Sequence, residues 1–170
     1  VGGVVIDGAV GVVKLSELVP QGAILAPVTG ATRDDVIAEL LDALVASGAA
    51  VRSVRDELYG KIMDRERLST TGFGKGVGVP HVKHHSITKM SAAVGLCPRG
   101  VDFSSLDRQP VFSVVLLLSP ADRPDDHLQA MEAIFKSLSK DTFRRFLRQA
   151  ASVDEVRDLF LEADAQTLGG

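Results

Sequence analysis

The chain lacks the marks of several protein classes. Its 170 residues contain one cysteine, Cys97. That excludes an internal disulfide and a cysteine-only zinc site within one chain, and it suits a reducing compartment. There is no excess of positive charge. The 19 Lys and Arg face 22 Asp and Glu, for a formal charge of −3, which disfavours a generally basic nucleic-acid binder. No apolar run approaches the ~20 residues needed to span a bilayer; the run of most interest, Val114 to Leu118, is far shorter. Internal repeats and low-complexity linkers are also missing. The glycine-rich stretch has neither the spacing of GxGxxG nor the Gly-Lys-Ser/Thr ending of a P-loop, so ATP binding has no support.

What is present is an ordinary globular composition, 45% hydrophobic and 24% charged, in a length that favours one domain. Such a chain can bury roughly 70% of its unfolded surface. Residues 1–13 are apolar and glycine-rich, without the basic start of a secretory signal. They read either as a leader or as a small hairpin, Val4–Ile6 against Val10–Val13 around Asp7-Gly8. Residues 14–170 read as the domain. Ala23 to Val28 is a short strand. A helix is expected from Thr32 to Ser47, with Thr32 as N-cap and Val36, Leu40, Leu41, Leu44 and Val45 on one face. A second helix runs from about Arg52 to Arg67. Thr70 to Pro80 is non-helical. Ala92 to Cys97 and Val111 to Leu118 are strands, the latter apolar enough to be buried on both faces. Helices follow at about Pro124 to Leu138 and Asp141 to Ala150, and a last one begins at Ser152, capped with Glu155. Helices on both sides of a strand-rich middle imply an α/β (α+β) arrangement with helices layered on a mixed sheet.

The chemistry concentrates in residues 61–89. Six cations and two anions give that segment a net charge of +4, and it holds His81, His84 and His85. Such a segment can attract an anion, although a solvated basic face would look the same. Gly72, Gly74, Gly76 and Gly78 alternate. Alternate glycines permit close approach by a ligand, with successive N–H groups facing an oxyanion, or form a bulged edge strand with tight packing. Pro80 directly precedes His81 and delivers the imidazole in a stiff frame. A neutral imidazole is a nucleophile able to carry a phosphoryl group, and arginine is the natural partner for its charge. His81, His84 and His85 would converge on a metal only on a helix, and no metal site is expected. His84 and His85 read as exposed polar residues, and Cys97 as core. His127 stands at a helix start, where the helix end favours the neutral ring while Asp125 and Asp126 favour imidazolium.

These pieces together resemble the fructose/mannitol-type and nitrogen-regulatory IIA components of the bacterial phosphoenolpyruvate-dependent sugar phosphotransferase system. The resemblance covers roughly Lys14 to Asp164. Its most specific parts are Asp64-Arg65-Glu66-Arg67-Leu68-Ser69-Thr70-Thr71-Gly72 and Gly76-Val77-Gly78-Val79-Pro80-His81. Gly100-Val101-Asp102-Phe103 and His127-Leu128 are similar as well. The resemblance implies a three-layer α/β/α sandwich with a mixed sheet and no cofactor. It implies His81 as the phosphorylated residue, Arg65 and His127 as its active-site companions, and Glu66, Thr71, Gly72, Gly76 and Gly78 as phosphate-binding or supporting residues. Two departures stand out: Gly78, where the family usually has alanine, and Val82, where a small residue follows the histidine. The implied role is that of a cytoplasmic phosphotransferase component without membrane insertion. A histidine phosphocarrier protein would phosphorylate it, and a IIB domain or a regulated target would be its downstream partner. The nitrogen-type regulatory branch is preferred over sugar transport. A non-catalytic anion- or protein-binding module of the same fold is the rival from another class.

Overall fold

The computed structural model describes residues 5–6, 9–10 and 13–169. At the start, β1 (Val5–Ile6) pairs antiparallel with β2 (Ala9–Val10); Asp7-Gly8 between them lies outside the described residues. The short helix α1 (Leu15–Leu18) follows, then β3 (Ile24–Leu25), two residues of the longer strand expected there. Helix α2 (Arg33–Ala46) starts as the sequence predicts, with Thr32 Oγ1 accepting the Asp35 N–H at 3.1 Å. Its apolar stripe, Val36, Ile37, Leu40, Leu41 and Leu44, is fully buried. A 3-10 turn, Arg52–Val54, leads into α3 (Arg55–Leu68).

The chain then makes a hairpin of β4 (Gly72–Gly74) and β5 (Val77–Gly78). Strands β6 (His81–His84), β7 (Ser91–Val101) and β8 (Val111–Pro120) complete the sheet. Its order is β3-β7-β8-β5-β4, with β6 also on β8. Strand β8 explains the layout. One edge pairs antiparallel with β7, and the other pairs parallel first with β5 and then with β6. Residues 77–84 thus run beside β8 as one strand interrupted at Pro80, which has no N–H to give but whose carbonyl still accepts the Leu117 N–H at 3.0 Å. Residues 81–84 form a strand because the parallel ladder resumes directly after the proline.

Helices α4 (Pro124–Leu138), α5 (Asp141–Gln149) and α6 (Val153–Gly169) finish the chain. The two sheet faces are covered differently. Ala92 and Val115 face an apolar set from α1, α4, α5 and α6, including Leu15, Ile134, Phe143 and Phe160. On the opposite face Gly95 meets Val28 and Leu40, the latter on α2, so closely that a Cβ there would lie 2.7 Å from Val28. Helix α3 packs on α2. The result is the expected α/β/α layering, with the run Val114 to Leu118 buried from both sides. No described helix is long and apolar enough to cross a membrane.

Candidate active site

The parallel register places His81 opposite Leu117 and Lys83 opposite Ser119, at the C-terminal end of β8. The chain leaves β8 at Pro120 and enters α4 at Pro124, so His127 in the first turn of α4 returns to the same end of the sheet. The His81 and His127 rings lie 5.5 Å apart, centroid to centroid, tilted by 48°. His81 is half-buried, whereas His127 is 6% exposed.

His81 Nδ1 lies 2.8 Å from the Val79 carbonyl oxygen. A carbonyl can only accept, so Nδ1 carries the proton and Nε2 keeps its lone pair. Burial pushes the His81 pKa below its ordinary value of 6.5. The Val79 hydrogen bond and the Glu66 charge oppose that shift, while Arg65 and Lys83 add to it. The ring is therefore neutral at pH 7. His127 Nδ1 is 2.7 Å from Ser119 Oγ. Burial, reinforced by His81 and Lys83, lowers the His127 pKa to about 4. Of the two opposing influences read from the sequence, the neutral ring prevails. Asp125 and Asp126 are not among the groups that move it.

Arg65, in the last turn of α3, is exposed. Its Nη1 donates to the Ser69 carbonyl at 2.7 Å. Its charge reaches His81 and lowers the ring's pKa. Glu66, the next residue, points the other way and is 2% exposed. Its carboxylate accepts the Thr71 N–H at 2.8 Å and the Thr71 hydroxyl at 2.6 Å. The Thr71 carbonyl in turn accepts the Val79 N–H at 3.1 Å. A continuous hydrogen-bonded path thus runs from Glu66 through Thr71 and Val79 to the His81 ring. The contacts of Glu66 lead to the backbone that holds the histidine.

The glycines follow the tight-packing alternative. Gly72 is opposite Gly78 with a register shift before Gly74, a bulged hairpin. Cβ atoms at Gly72 and Gly78 would stand 3.1 and 3.0 Å from Phe103, which is fully buried. Lys75 and Gly76 form the two-residue turn with φ of 60° and 79°, which explains the glycine there. Gly76 therefore lies at the far end of β5 from His81. The N–H groups of Thr71, Gly72, Lys75 and Val79 are bonded within the chain.

His84 departs from expectation. It is 3% exposed, because β6 carries it against α3, where Nε2 meets Glu57 Oε2 and Nδ1 meets Ser86 Oγ at 2.7 Å. His85 stacks on it, with centroids 4.2 Å apart, and is exposed. Among the described residues no group of three or more His, Cys, Asp or Glu could hold a metal ion. Cys97 is buried in β7, and burial pushes its thiol up to about 12. Sequence reasoning missed the Val79 carbonyl and Ser119. The former leaves no side-chain signal, but the serine closing the apolar run of β8 was a visible one.

The site thus consists of two neutral histidines at one end of the sheet of a layered α/β/α domain. Residues 17–163 match the family described as phosphoenolpyruvate-dependent sugar phosphotransferase system, EIIA 2, and the chain belongs to that family. It is 32% identical over 151 residues to the PTS system fructose-specific EIIA component of Haloferax volcanii, covering 89% of this chain and 97% of that one. It is 31% identical over 144 residues to a nitrogen regulatory protein of Bradyrhizobium diazoefficiens, covering 84% and 91%. The crystal structure of nitrogen regulatory protein IIA-Ntr from Neisseria meningitidis superposes with a TM-score of 0.78 at 23% identity, covering 86% of this chain and 98% of that one.

Proposed function

We propose that the chain is a phosphohistidine carrier whose acceptor atom is Nε2 of His81. The observation that carries this reading is the 2.8 Å bond from His81 Nδ1 to the Val79 carbonyl, which leaves Nε2 as the free nucleophile. A histidine phosphocarrier protein presents its phosphohistidine. The lone pair of Nε2 attacks phosphorus, the bond to the donor's nitrogen breaks, and the new P–N bond forms at His81. The Nδ1 proton stays on the ring, so the phosphorylated imidazole carries positive charge. The Val79 carbonyl stabilises that charge, and the group remains a good leaving group for onward transfer. Phosphoryl transfer depends chiefly on alignment and charge neutralisation. Arg65 commits one N–H to Ser69, and its guanidinium has four more for phosphoryl oxygens. His127 takes its Nδ1 bond from the Ser119 hydroxyl and offers Nε2–H to the same group.

The phosphorylated surface serves as a nitrogen-type regulatory switch, since a charge near −2 beside docking residues can recruit one partner and repel another. Its rival use is delivery to a IIB domain in sugar transport. Incubation with phosphoenolpyruvate and the upstream phosphotransferase proteins tests the carrier role. Intact mass rises by one phosphoryl group in the wild type and not in His81→Ala; a wild type that stays unlabelled with authentic partners refutes it. Pull-downs with phosphorylated and unmodified protein test the switch, and identical partners in both refute it.

A further inference from the structure

A cleft of about 870 Å³ opens on the other side of the β4–β5 turn, between that turn and α5. Lys75 stands on one wall and Arg144, Arg145 and Arg148 on the other, with Phe112 between them. Phe112–Ser113 and the His81 partners Leu117–Ser119 are about five residues apart along β8. At ~3.3 Å per residue the two sites are separated by roughly 17 Å. The mechanism above uses nothing in this cleft.

Two carboxylates also line it, and both are engaged. Asp141 is bound by Arg144, and Asp107 accepts the Lys75 and Gln109 backbone N–H groups at 2.9 and 3.0 Å. The Arg144–Asp141 pair cancels, and the Lys75 ammonium and the guanidinium groups of Arg145 and Arg148 outnumber the Asp107 carboxylate, so the cleft keeps a net positive charge. Arg148 is the best prepared of them. Its guanidinium carbon lies 3.5 Å from the centroid of the Phe112 ring. That ring is fixed in turn by bare backbone at its edges, since Cβ atoms at Gly76 and Gly100 would approach it to 3.2 and 3.1 Å. Stacking holds the guanidinium plane while leaving its N–H edges free, the arrangement suited to bidentate recognition of a phosphate.

We propose that this cleft is a second, non-catalytic anion site that takes a small phosphorylated metabolite bearing more than one negative group. The volume falls within the ~300–1,000 Å³ of small-molecule sites. Cations on two facing walls suit a ligand with charge at both ends, not a single phosphate. The net charge of −3 makes this local excess of cations a feature of the cleft and not of the whole surface.

Inorganic pyrophosphate is the probe, titrated into the full chain at physiological ionic strength and followed by amide chemical shifts. The expected result is saturable binding, with shifts confined to the 75–77, 112–113 and 141–149 segments. Arg148→Gln, an exposed change that spares the core, weakens binding about tenfold or more. His81→Ala leaves it unchanged, which separates this proposal from the carrier reading. A parallel arm uses vesicles containing phosphatidylglycerol, because a lipid headgroup shares the phosphate chemistry. Sedimentation with vesicles without pyrophosphate binding overturns the small-molecule assignment. Absence of saturable binding, or binding that maps to residues 65, 81 and 127 and ignores Arg148→Gln, also overturns it.

Discussion

Replacing Glu66 is a searching test of how the site is held. Its carboxylate accepts both the Thr71 N–H and the Thr71 hydroxyl, at 2.8 and 2.6 Å, and Thr71 is fully buried. Glu66→Ala strands both donors. Each buried unsatisfied group costs about 1–3 kcal/mol. Since the two share one neighbourhood and do not add fully, a loss of about 2–5 kcal/mol is expected. A domain of this size shifts by roughly 2–4 °C per kcal/mol, so the melting temperature should fall by roughly 4–20 °C. The functional consequence is separate. Thr71 holds Val79, and Val79 fixes the proton on His81 Nδ1. Loosening that path should release the ring into a mixture of tautomers and slow phosphorylation by about one to two orders of magnitude. Thermal melts give the first number and imidazole ¹⁵N shifts give the tautomer. Glu66→Gln, which keeps one acceptor oxygen, should lie between wild type and Glu66→Ala in both readouts. A Glu66→Ala protein that melts within about 2 °C of wild type and keeps the Nδ1–H form refutes the reasoning.

Three further outcomes are expected. Gly78→Ala restores the residue usual in the family but drives a methyl against the Phe103 ring at 3.0 Å. It should cost about 1–3 kcal/mol in a denaturant titration while leaving phosphorylation intact; unchanged stability would show that Phe103 yields freely. His127 binds its proton near pH 4 when folded and near 6.5 when unfolded. In that window the unfolded chain holds more protons, so its contribution is full above about pH 6.5 and is lost as pH falls toward 4, by about 1–3 kcal/mol. His127→Gln should flatten that part of the stability profile, and an unaltered slope would contradict the assignment. Because burial puts the His81 pKa below 6.5, the phosphorylation rate should fall to half its plateau only below pH 6.5; a midpoint above 6.5 in stopped-flow transfer would contradict it.

Elements that declare themselves by local periodicity were legible in the sequence. Helix α4 has the expected bounds, and the Thr32 and Ser152 caps accept the N–H groups of Asp35 and Glu155. His81 and His127, both singled out in the sequence, come together at one end of the sheet. What escaped was non-local. Strand β6 exists because β8, some thirty residues later, offers it an edge. His84 is buried because Glu57 on α3 meets it from twenty-seven residues away. The Val79 carbonyl is backbone, which carries no residue-type signal. The alternating glycines were ambiguous between an anion cradle and a bulged strand, and the Phe103 ring filling their space decides for the strand.

The atom that bears phosphorus tests the central claim most directly. Two-dimensional ¹H–¹⁵N spectra of the imidazole side chains, recorded on protein phosphorylated through the upstream carrier, locate the P–N bond. The account predicts one phosphorylated ring, that of His81, substituted at Nε2 with the proton retained on Nδ1. Phosphorus on Nδ1 of His81, or on His127, would contradict it.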